Sequence, residues 1–111
     1  MSRISHLPHA DSAIHDAVVA VQIACANQGL YDGHDVVNWL NDHRNDQLND
    51  IIDCYRRTSD PVHYATIQIG NYLRNRLDQR KIGTRVSYRK ITLRDGSTRN
   101  GTCDVSVWRI A

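Results

Sequence analysis

The chain has 111 residues, 41% of them hydrophobic, which suits one domain and one core and leaves no room for a second. Its net charge of +2 conceals an asymmetry: residues 1–60 carry four Arg against nine Asp, a net of −5, and residues 61–111 carry ten Arg and Lys against three Asp, a net of +7. The three widely spaced cysteines exclude a disulfide framework, and the most apolar run, Ala17 to Ala26, is too short to span a bilayer, so a cytoplasmic protein without a membrane partner is expected.

Residues 1–10 read as an irregular arm, because Pro8 breaks any helix and no apolar period is present. A first helix begins near Asp11 or Ser12, either of which can cap backbone N–H groups. Ile14, Val18, Val21 and Cys25 then recur at helical spacing, and Gly29 is a natural stop. A second, short helix is predicted from about His34 to Asp42, with Val36, Val37 and Leu40 inward and Trp39 closing the edge of the core. A third runs from about Asp46 to Arg57, with Leu48, Ile51, Ile52 and Tyr55 on one stripe and Asn45 or Asp46 as cap.

Thr58-Ser59-Asp60-Pro61 is a turn that leads into a helix, since Pro is tolerated in a first turn. The fourth helix is predicted over about Val62 to Lys81. Thr66, Ile69, Gly70, Leu73 and Leu77 face inward; Gln68, Asn71, Asn75 and Gln79 face outward with Arg74 beside them; Gly83 ends the helix. Two strands follow, about Thr84–Arg94 and Thr102–Ile110, with a turn-rich segment from Asp95 to Gly101 between them. Matching the apolar residues across the pair sets Ile91 opposite Val105, Tyr88 opposite Trp108 and Val86 opposite Ile110. The expectation is one α+β domain over residues 1–111: an arm, about four helices over 11–82, then an antiparallel β-hairpin over 84–110.

The order of helices, turn, long helix and basic hairpin resembles a winged helix-turn-helix. The residues that carry the resemblance are Ile51-Ile52, the Thr58–Pro61 turn, Ile69-Gly70-Asn71-Tyr72-Leu73 and the hairpin from Arg85 to Arg109, roughly the last two-thirds of the chain. In such folds the second helix of the pair enters the major groove and the wing lies along the backbone or a minor groove. The resemblance therefore implies that Gln68, Asn71 and Asn75 read base edges, since Asn and Gln pair bidentately with adenine. It implies that Arg74, Arg80, Lys81, Arg85, Arg89, Lys90, Arg94 and Arg99 hold phosphates and supply affinity with strong salt dependence. The additional N-terminal helix has no place in the minimal module.

Other chemistry finds less support. His6 and His9 form H-x-x-H in the arm, but a zinc site needs three or four converging ligands, and neither C-x-x-C nor H-E-x-x-H occurs. His15, Cys54, His63 and Cys103 could join them only through the fold. Asp42, Asp46, Asp50 and Asp53 form a carboxylate stripe whose spacing is that of a solvated helix face; magnesium-dependent nuclease chemistry is its sharper alternative. No phosphate loop or nucleophile motif frames any Cys–His pair, so no enzyme activity, metal or cofactor is expected. The leading expectation is a non-enzymatic protein that binds duplex DNA in transcription or replication control, of phage or mobile-element type. The alternative is a small phage-type inhibitor that binds a host protein or nucleoprotein complex; a homodimer is compatible with both.

Overall fold

The computed structural model describes residues 10–87, 91–92, 98–99 and 103–110. Residues 1–9, on which the expected arm and its two histidines fall, lie outside the described residues. The fold is α+β, with four helices and C-terminal antiparallel strands.

Helix α1 (Ala10–Ala24) buries Ala13, Ile14, Ala17, Val18 and Val21 along one face. All five are small or β-branched, which lets α2 pack closely against it. Cys25 lies beyond the helix in a 3-10 turn, and Gly29, with φ of 71°, closes that turn in the left-handed conformation. Strand β1 (Leu30–Asp32) follows directly.

Helix α2 (Gly33–His43) is nucleated by a reciprocal pair of bonds. The Asp32 carboxylate accepts the Asp35 N–H at 2.9 Å, and the Asp35 carboxylate accepts the Asp32 N–H at 2.9 Å. Val36, Val37 and Leu40 are buried as their spacing predicts, and Trp39 packs against the edge of the core. Helix α3 (Asn45–Asp53) is shorter than expected: Leu48 and Ile51 are buried on it, but Tyr55, also buried, sits in the turn beyond. The expected Asn45 or Asp46 cap is not formed. Arg44 holds the cap position without a side-chain bond, and the Asn45 amide donates instead to Asn41.

Helix α4 (Pro61–Arg76) begins as predicted. Asp60 accepts the His63 N–H at 3.1 Å, and Pro61 lies in the first turn. Its end differs. The helix stops at Arg76 rather than Lys81, in a widened turn where Leu77 N–H reaches the Tyr72 carbonyl and Gln79 N–H the Leu73 carbonyl. Asp78 adopts φ of 51°, one of the few non-glycine types that tolerate it. Gly83 therefore ends no helix; it lies within strand β2 (Arg80–Ser87), next to an irregularity at Ile82.

Strands β3 (Ile91–Thr92) and β4 (Thr98–Arg99) pair with each other, and β5 (Cys103–Arg109) is the centre of a three-stranded antiparallel sheet ordered β1-β5-β2. The expected hairpin register is wrong. Val86 faces Asp104 rather than Ile110, and Trp108 faces Lys81 on one side and Tyr31 on the other. Ile91 faces Arg99 and Thr92 faces Thr98, so two residues expected in the turn are strand. Matching apolar to apolar presumed a two-stranded ribbon. The apolar residues of β5 are spent elsewhere: Trp108 joins the helical core with Tyr31, Leu40, Ile69 and Leu73.

Candidate functional site

The outward side of α4 and the adjoining strand carry the polar residues singled out in the sequence. Ala65, Ile69, Tyr72 and Leu73 turn inward. Asn71, Arg74 and Asn75 are consequently exposed on the other side, with Gln68 half-buried at their flank. Gln79, expected among them, instead ties the body together: its Oε1 accepts the Gln22 amide at 2.8 Å and the Tyr31 hydroxyl at 2.7 Å. Burial raises the Tyr31 hydroxyl well above its ordinary value.

The basic residues divide. Arg80 and Lys81 are exposed on β2, not on the helix, and successive positions on a strand point to opposite faces. Arg74, Arg80 and Lys81 form no ion pair among the described residues. Arg85 is not available to a phosphate in the same way. Its Nη2 and Nε donate to the Asp32 Oδ2 at 2.8 and 3.1 Å, across the central strand, and the Asp32 side chain is 2% exposed. Arg85 lies opposite Val105 and Asp32 opposite Val107, so the bridge crosses the sheet diagonally over that face. Arg89, Lys90 and Arg94 lie outside the described residues, and of Arg99 the backbone alone, in β4, is described.

A groove of about 290 Å³ separates α4 from the opposite face of the sheet. Asn71 and Arg74 line its helix wall together with Thr66 and Gly70, and Lys81, Thr84, Ser106 and Asp104 line its sheet wall. His34 and Gly33 from the start of α2 and His63 from α4 complete it. Gly70 keeps the wall open at Trp108; a Cβ there would lie 3.6 Å from the indole Cζ2. The Trp108 Nε1–H is the one buried side-chain polar atom among the described residues without a hydrogen-bond partner. Ile67, on the helix wall, is a large exposed apolar residue, and so is Val86, which pairs with Asp104 on the sheet.

No family model, curated protein or solved structure matches the chain.

The structure thus brings Asn71, Arg74 and Lys81 together and leaves Gln68 and Asn75 beside them on α4. Sequence reasoning missed the sheet side of the groove. A signal was present in β5, where Asp104, Ser106 and Trp108 alternate with Val105 and Val107 and so share a face. The four carboxylates Asp42, Asp46, Asp50 and Asp53 are exposed, and no group of His, Cys and Asp among the described residues is placed to hold a metal. Cys54 has its thiol pushed up by burial and by Asp53 and Asp50, the opposite of an activated nucleophile. No helix among the described residues is long and apolar enough to cross a membrane.

Proposed function

We propose that the chain is a non-enzymatic DNA-binding protein of winged-helix type that acts in transcription or replication control. The observation that carries this reading is the outward face of α4, where Asn71, Arg74 and Asn75 stand exposed and Lys81 of β2 lines one groove with Asn71 and Arg74. Side-chain amides on a helix are suited to adenine edges in a major groove, and unpaired cations next to them are suited to the flanking phosphates. The topology adds support. Strand β1 binds the hairpin to the helical body, so the hairpin has a set position beside α4, as a wing requires.

In this arrangement α4 lies in the major groove, Asn71 and Asn75 meet base edges, and Arg74 and Lys81 meet the backbone. Arg85 acts inside the protein, holding the sheet to α2. Titration with duplex DNA at several salt concentrations tests the reading. Affinity should fall steeply with salt, and Arg74→Gln and Lys81→Gln should each reduce the slope by about 0.9. Binding that is absent at low salt, or insensitive to salt, removes the reading.

A protein partner is favoured by one feature, the exposed Tyr64 and Ile67 one turn apart on the same side of α4. Capture from host lysate separates the two: a stoichiometric partner that survives nuclease treatment supports an inhibitor, and one lost on nuclease treatment supports DNA binding.

A further inference from the structure

The groove between α4 and the sheet is built differently from the face that would read DNA. Two cations, Arg74 and Lys81, stand on opposite walls, so a ligand between them meets both. The Asn71 amide and the hydroxyls of Thr84 and Ser106 add neutral donors, against the single carboxylate of Asp104, while the Thr66 hydroxyl donates to the Val62 carbonyl. Trp108 contributes a buried N–H that nothing among the described residues satisfies, and an indole N–H can only donate. A buried donor without a partner is costly, and an acceptor group is what would relieve it. The volume of about 290 Å³ is at the lower end of the range for small-molecule sites.

We propose that this groove is a binding site for a phosphate ester, with the phosphate oxygens between Arg74 and Lys81 and an acceptor atom of the ligand on the Trp108 Nε1–H. A phosphate offers several strong acceptor oxygens to a site of many donors, and the Arg fork grips two of them while Lys acts as a point charge. The ester is either a free nucleotide or one phosphodiester of a nucleic-acid strand. The binding itself does not depend on the DNA-reading role of α4. A consequence does rest on that role: Asn71 and Arg74 belong to both surfaces, so a nucleotide in the groove competes with duplex DNA.

The chain has two tryptophans, Trp39 and Trp108, so its proton–nitrogen correlation spectrum has two indole signals, and Trp39 lies outside the groove. Titration of the full chain with inorganic phosphate, adenosine monophosphate and a short oligonucleotide duplex is followed on both. The Trp108 signal should move downfield and saturate while the Trp39 signal stays in place. Arg74→Gln and Lys81→Gln, both at exposed positions, should each weaken binding about tenfold with the Trp39 signal unchanged as the mark of an intact fold. Saturation by the monophosphate identifies a free nucleotide as a source; saturation by the duplex alone identifies the backbone. If the Trp108 signal is unmoved by all three probes, or the two variants bind as the parent does, the proposal is overturned, whatever α4 does with DNA. If the monophosphate saturates the site and DNA is not displaced, the shared-surface consequence falls.

Discussion

Arg85→Gln removes the ion pair that ties β2 to the Asp32 carboxylate at 2.8 Å. The Asp32 carboxylate has two tasks. One oxygen caps α2 through the Asp35 N–H, and the other takes both bonds from Arg85. Replacing Arg85 with Gln removes both of its charge-assisted bonds to one oxygen of a buried carboxylate. Breaking a fully buried ion pair costs about 3–5 kcal/mol; an exposed pair is worth about 0–1 kcal/mol. The carboxylate side is buried, but the Arg85 side chain is 43% exposed, so water can reach part of the vacated position. The cost should lie between the limits, at about 2 kcal/mol. For a chain of this size that is a fall in Tm of about 8 °C.

Thermal unfolding followed by circular dichroism measures it, and a double-mutant cycle with Asp32→Ala separates pair from cap. Asp32→Ala alone should cost about 1 kcal/mol more, the worth of an N-cap. The coupling between the two positions should recover most of the Arg85 cost. DNA titration supplies the second arm. Below the melting range, Arg85→Gln should bind DNA with the salt slope of the parent. An unchanged Tm together with a slope reduced as in Arg74→Gln would show that Arg85 grips phosphate and that its contact with Asp32 is incidental.

Asn71→Ala and Asn75→Ala should each cost about 1–3 kcal/mol of discrimination between operator and mismatched duplex, read by competition binding, with Tm unchanged because both side chains are exposed. Gly70→Ala should raise Tm, by about 0.5–1 kcal/mol of stability, because a helical glycine is replaced and the new Cβ meets Trp108 at an ordinary contact distance. A fall in Tm would mean that α4 and the sheet sit closer than described. The Tyr72 hydroxyl is pushed up to about 12, chiefly by burial and then by its bond to Asp11 and that carboxylate's charge, with Arg76 opposing. The unfolded chain loses this proton near pH 10 and the folded one later, so the Tyr72 contribution to stability should be level below pH 10 and fall between about 10 and 12. Tyr72→Phe should make that fall, measured by urea unfolding, shallower.

Helices were legible where a cap and an apolar period coincided. Asp60-Pro61 located the start of α4, and Val36, Val37 and Leu40 located the inner face of α2. The end of α4 was not legible, because the stop is made by Asp78 in a conformation usually taken by glycine, and Gly83 offered a false one. Strand β1 escaped because three residues carry no period; only its pairing with β5 makes Leu30–Asp32 a strand. That omission propagated. Without β1, the hairpin was treated as a ribbon that satisfies itself, and its register was set by apolar pairs that the sheet does not form. The same missing strand hid the role of Arg85, whose partner lies on it. Of the candidate site, the α4 half was readable from helical spacing. The sheet half depended on a register that only the third strand determines.

The charge asymmetry can now be argued from particular pairs rather than from totals. One pair that joins the two parts, Asp32–Arg85, is half-buried and structural: it couples the start of α2 to β2 across the central strand. Its consequence is geometric. Gly33 and His34, the residues next to Asp32, form one end of the groove, and Thr84, the residue next to Arg85, lies on its sheet wall. The cations beyond it, Arg74, Arg80 and Lys81, are left exposed and without an ion-pair partner among the described residues. Of these, Arg74 and Lys81 line one groove with Asn71, and the proposed phosphate contacts rest on that juxtaposition.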